Sequence, residues 1–158
     1  MSGVPGRTRG RAPEGCAGIL LAVLAAAPGA LALPAAAATL QVEVDGIEPG
    51  GGYVRVALCQ GGLSGASCVR GDEAPASDNR ALFTFQGVAP GTYAVAAYQD
   101  SNGDGRLDRT GLGLPLEPYG FSGSVGRRGR PDFADAAFTL REPGASVRVR
   151  LGRAVPRR

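Results

Sequence analysis

The chain has 158 residues, with 17 arginines, no lysine, 14 acidic residues and no histidine, for a formal charge of +3. The missing histidine excludes Ser-His-Asp and Cys-His nucleophiles and the usual zinc-hydrolase ligand sets. So small a charge offers no general field for phosphate backbones, and nucleic acid is not an expected partner.

Residues 1–38 read as a secretory signal peptide. Arg7, Arg9 and Arg11 form a basic start, an apolar run extends from Cys16 to Leu33, and small residues from Ala35 to Ala38 suit a cleavage site before Thr39. The alternative is an uncleaved membrane anchor. The run is alanine-rich and broken by Pro28-Gly29, however, which makes it weakly apolar for a span of about 20 residues. Cys16 precedes the run and is badly placed for lipid attachment. The expected product is periplasmic or secreted, with no membrane span after cleavage. It carries 14 arginines against 13 acids, because the leader takes Arg7, Arg9, Arg11 and Glu14.

From Thr39 the apolar period is two. Leu40, Val42 and Val44 alternate with polar residues, and Val54, Val56 and Leu58 repeat the pattern. Cys59 and Cys68, nine positions apart with Gly61, Gly62 and Gly65 between them, are expected to form a disulfide in an exported protein. Phe83 and Phe85 flank Thr84, and Tyr93 to Tyr98 is a further strand. Turn clusters punctuate these runs at 48–52, 89–91, 102–105 and 143–144. The segment 110–131 breaks the rhythm. It is rich in Gly, Pro, Ser and Arg, and its spaced apolar residues are expected to fold back over one end of the domain. Phe133 to Ala137 could form at most a short helical turn, and Val147, Val149 and Leu151 mark the last strand. The pattern predicts an all-β antiparallel β-sandwich over residues 39–151, followed by a basic tail at 152–158.

Asp100-Ser-Asn-Gly-Asp-Gly-Arg-Leu-Asp108 is the stretch richest in chemistry. Oxygen side chains at its positions 1, 3, 5 and 9, with glycine at 6, can wrap a hard cation. The expected calcium ligands are Asp100, Asn102, Asp104, the carbonyl of Arg106 and Asp108, with Glu117 or water completing the shell. Position 12 is Gly111 and no helices flank the loop, so this is not an EF-hand. Asn-Gly and Asp-Gly are also strong hairpin-turn signals, so a polar turn that binds nothing is the competing reading. A carboxylate pair for glycoside hydrolysis could be drawn from Glu117 with Asp132 or Asp135, but no spacing favours it. The chain is therefore read as a non-enzyme. Arg70-Gly71-Asp72 is an adhesion-type tripeptide and is read as chance.

Three ordered stretches resemble the uncharacterised bacterial "domain of unknown function 2141" family. They are Gly91 to Asp108, Gly113 to Ser122 and Arg130 to Phe138, preceded by the opening strand Gly52 to Leu58. The resemblance covers nearly all of residues 39–151. It implies an exported single-domain β-sandwich, similar to transthyretin-like and Ig-like modules, with no established activity. The chain departs from the family after Ser122, where Gly-Ser-Val-Gly-Arg-Arg stands in place of an Asn-rich run. Glu117, Tyr119, Phe121 and Ser122 form the expected ligand-binding surface. Aromatic rings beside fixed polar groups suit an envelope glycan or peptide, in a module that binds or builds in the cell envelope.

Overall fold

Strand β1 (Ala38–Asp45) buries Leu40, Val42 and Val44 on its inward face, and β2 (Tyr53–Cys59) does the same with Val54, Val56 and Leu58. This is the expected consequence of period-two alternation on a pleated chain. The computed structural model describes residues 37–123 and 131–156. The leader therefore lies outside the described residues apart from positions 37 and 38, as do residues 124–130. A short 3₁₀ turn (Gly65–Ser67) leads into β3 (Cys68–Pro75), then β4 (Arg80–Val88), β5 (Gly91–Asp100) and β6 (Tyr119–Phe121). One helical turn, α1 (Phe133–Ala136), precedes β7 (Phe138–Leu140) and β8 (Gly144–Arg150).

The strands make two sheets. One is ordered β4-β1-β8 and the other β3-β2-β5-β6, with β7 pairing the first residues of β5. Inward side chains of both sheets meet in one core, with Leu40, Val42, Phe83, Phe85 and Val149 from the first and Val54, Val56, Leu58 and Val95 from the second. Among the described residues no helix is long and apolar enough to cross a membrane.

Four features depart from the sequence expectations. Strand β8 runs parallel to β1, with Val42 opposite Val147, although every other ladder is antiparallel. A parallel pair needs a long crossover, which the whole intervening chain supplies. Strand β3 carries no apolar alternation because it is an edge strand with mostly exposed side chains. It is held by its ladder to β2 and by the Cys59–Cys68 disulfide.

The third departure lies in the segment expected to be loop, which contains β6. This strand pairs with β5, its Tyr119 bridges Gly152, and Ser122 just after it bridges Val149, so the segment ties one sheet to the other. Gly120 makes that approach possible, since a Cβ there would collide with the backbone carbonyl of Arg150. Finally, the folded unit is slightly longer than 39–151. Ala38 is buried and pairs with Val88, and Gly152 and Arg153 of the expected tail bond to Tyr119 and Glu48.

Candidate functional site

The outer face of the five-stranded sheet follows from the same alternation that builds the core. Register aligns Glu73, Arg55, Tyr98 and Tyr119 in one row across β3, β2, β5 and β6. The neighbouring row is Gly71, Ala57, Ala96 and Phe121. Three of those four side chains are a methyl group or nothing, so the sheet surface sinks between its taller neighbours. The result is a cleft of about 860 Å³. Leu63 and Gly65 flank it beside the disulfide, and Gly105, Arg106, Leu107 and Arg109 of the acidic loop line it as well. The Tyr119 and Phe121 rings meet edge to face with centroids 6.0 Å apart, an arrangement that suits the aromatic quadrupole.

The acidic loop grows out of the end of β5. Asp100 is the last residue of that strand and has no exposed surface. Its Oδ1 accepts the amides of Gly103 (2.8 Å) and Asp104 (3.1 Å), and its Oδ2 accepts the amide of Gly105 (2.8 Å). Arg55 Nε donates to the same Oδ2 at 3.0 Å. Burial alone would push the Asp100 carboxyl up. The Gly105 amide, the Arg55 guanidinium and the Gly103 amide outweigh it and hold the group below the usual carboxylate range. Gly105 adopts φ +80, which lets the chain curl its amide back toward Asp100.

The loop is also fastened to the sheet. Tyr98 Oη donates to the Gly105 carbonyl at 3.0 Å. Burial chiefly raises the Tyr98 phenol, Arg55 lowers it, and the carboxylates of Asp100, Glu117 and Asp104 add to the rise. Arg55 also reaches Glu73 Oε2 at 2.7 Å. Its guanidinium is held protonated more firmly than usual, first by the hydrogen bond to Asp100 and then, against a burial penalty, by Glu73.

The side chains of the other expected calcium ligands are engaged within the loop itself. Asn102 Oδ1 accepts the Asp104 amide at 3.1 Å, and its Nδ2 donates to Asp108 Oδ2 at 3.1 Å. Asp104 Oδ1 accepts the Arg106 amide at 2.8 Å. Among the described residues no three carboxylates, cysteines or histidines gather into a group that could hold a metal ion. The negative charge of Asp100 is met by amides and a guanidinium.

The four residues expected at the ligand surface divide into two pairs. Tyr119 and Phe121 line the cleft. Glu117 and Ser122 are buried instead. Glu117 accepts the Ser101 amide at 2.7 Å on Oε1 and the Asp108 amide at 3.1 Å on Oε2, clamping both ends of the acidic loop. Ser122 Oγ accepts the Val95 amide at 2.9 Å and donates to the Ala136 carbonyl at 2.5 Å. Both Glu117 oxygens are thus occupied, while Asp132 and Asp135 are exposed around α1. Arg70 of the adhesion-type tripeptide lies within β3, its guanidinium over Phe85 and bonded to the Gln86 carbonyl.

Sequence reasoning overlooked Arg55, Glu73 and Tyr98. The alternation in β2 and β5 already placed Arg55 and Tyr98 opposite the core residues, but nothing local set them side by side. The model of a family described as an uncharacterized protein conserved in bacteria (DUF2141) matches residues 42–148. No curated protein and no solved structure matches the chain.

Proposed function

We propose that this chain, which belongs to the uncharacterised bacterial family DUF2141, is an exported, non-enzymatic module that binds an envelope glycan or peptide in the cleft over Ala57 and Ala96. The observation that carries this reading is the pair of rows on the outer sheet face. A small-residue trough is bordered by Tyr98, Tyr119 and Phe121, with Arg55 and Glu73 as fixed polar groups beside it. Flat rings next to oriented polar atoms suit sugar faces and extended peptides. An Ig-like or transthyretin-like sandwich is the architecture that two sheets sharing one core support best. Export rests on the leader, and the non-enzymatic assignment on the lack of histidine and on carboxylates engaged with backbone amides.

The test is retention on purified cell-wall material and on its glycan and peptide fractions. Tyr119→Ala/Phe121→Ala is expected to abolish retention without changing the fold. A double variant that is retained as well as the parent, or a parent that binds neither fraction, removes the reading.

Calcium enters as a second reading with a reduced role. What favours it is that Asn102 and Asp104 are exposed and Asp108 is half-buried, close enough for Asn102 Nδ2 to reach Asp108 Oδ2 at 3.1 Å. An ion there would fasten a loop that Asp100 and Glu117 already close.

A further inference from the structure

The chain has two asparagines, Asn79 and Asn102, and both are exposed. Arg80 follows the first. Gly103 follows the second, with φ +75 and open space where a Cβ would sit. A glycine amide is the least hindered backbone nucleophile, because no side chain stands beside its nitrogen. That nitrogen and Asn102 Cγ are separated by the atoms of one five-membered ring. The segment behind the loop does not fold back over the domain, as its apolar residues had suggested. Leu112, Leu114 and Leu116 stay 90%, 49% and 42% exposed, and Asn102 remains open to water.

The folded loop restrains both reacting groups. The Gly103 amide donates to Asp100 Oδ1 at 2.8 Å, and taking its proton there would set a second negative charge against a buried carboxylate. The Asn102 carboxamide is held from two sides. Its Oδ1 accepts the Asp104 amide and its Nδ2 donates to Asp108 Oδ2, each at 3.1 Å. Local opening of the loop breaks these three contacts together.

We propose that Asn102 is a spontaneous covalent modification site whose reaction is gated by opening of the acidic loop. In the open loop the Gly103 nitrogen gives its proton to solvent and attacks Asn102 Cγ. The N–Cγ bond forms, the Cγ–Nδ2 bond breaks, and Nδ2 leaves as ammonia with a proton from water. A second water then opens the cyclic imide. Attack at Cγ leaves aspartate, and attack at the Asn102 main-chain carbonyl leaves isoaspartate, with the chain running through Cβ. Aspartate puts a carboxylate oxygen where Nδ2 had donated to Asp108, so a hydrogen bond becomes a like-charge contact. Isoaspartate lengthens the chain just before the Gly103, Asp104 and Gly105 amides that hold Asp100. Either product loosens the cleft wall at Gly105, Arg106 and Leu107, irreversibly and whatever the cleft binds.

Peptide mapping of the full-length protein at mildly alkaline pH follows the reaction as a gain of about one dalton at Asn102. The chain unfolded in urea should gain it roughly tenfold faster than the folded parent, or more. Asp108→Ala frees Asn102 Nδ2 without touching the core, and Glu117→Gln weakens the clamp on the Ser101 and Asp108 amides. Both should speed the gain at Asn102 severalfold in the folded protein and leave Asn79 at its parent rate. Asn102→Asp, which needs no reaction, should lower Tm and quicken amide exchange at Gly103 and Gly105. Three results overturn the proposal. One is a folded parent modified at Asn102 as fast as the unfolded chain, and another is no gain at Asn102 even in urea. The third is an Asn102→Asp variant that melts and exchanges like the parent.

Discussion

Arg55 Nε lies 3.0 Å from Asp100 Oδ2, while the same guanidinium reaches Glu73 Oε2 at 2.7 Å. One arginine therefore connects the edge strand β3, the floor of the cleft and the root of the acidic loop. The Asp100 end of this link is fully buried and the Glu73 end is half exposed, so the two ion pairs are not equivalent.

Acid should act through Asp100. Its folded-state pKa lies below the ordinary value, so it contributes stability that is present above about pH 4 and is lost as pH falls through the folded-state value. Thermal melts from about pH 6 down to about pH 2 should show this loss in the parent protein. Asp100→Asn should start lower at neutral pH and show a shallower acid limb. Asp100→Ala strands three amides and a guanidinium, and should cost roughly 3 kcal/mol in urea unfolding.

The two partners of Arg55 should separate in mutagenesis. Glu73→Gln removes a solvent-screened pair and should change stability by less than about 1 kcal/mol. Arg55→Met leaves Asp100 facing amides alone and should destabilise more than Glu73→Gln. Urea melts of both variants at neutral pH check the order, and equal losses would contradict it.

Gly120→Ala should loosen the seam between the sheets. The added methyl would meet the Arg150 carbonyl, and moving either backbone should cost about 1–3 kcal/mol. Amide exchange at Tyr119 and Gly152, which donate to each other's carbonyls at 3.0 and 2.9 Å, should quicken before exchange in the centre of β1 does.

Reducing the Cys59–Cys68 bridge, or replacing it as Cys59→Ser/Cys68→Ser, opens a short loop and should lower stability by roughly 2.5–3 kcal/mol. The loss is read as a drop in Tm. Because Leu63 and Gly65 lie within that loop, cleft binding should weaken as well.

Calcium at millimolar concentration is expected to raise Tm modestly. Tenfold saturation of a single site would add about 1.4 kcal/mol, and Asp104→Ala should remove the rise. Superimposable melts in calcium and in chelator would retire the ion.

Alternation, turn chemistry and cysteine spacing are local properties, and they were legible in the chain. They determined that Leu40, Val42, Val54, Val56 and Leu58 face a core, that residues 100–108 turn sharply, and that Cys59 can reach Cys68. Those outcomes depend on backbone geometry and short-range loop closure. What only the tertiary structure decided was which strands became neighbours, because main-chain ladder bonds are nearly blind to side-chain identity and register is set by distant packing. That is why β3, with no apolar pattern, could be found only beside β2, and why β8 returned parallel to β1. It is also why Glu73, Arg55, Tyr98 and Tyr119, spread over 65 sequence positions, stand in one row. The acidic loop shows the same division. Its curl was written in Asn102 to Gly105, but the burial that turned Asp100 toward amides and Arg55 came from the sheet beneath it.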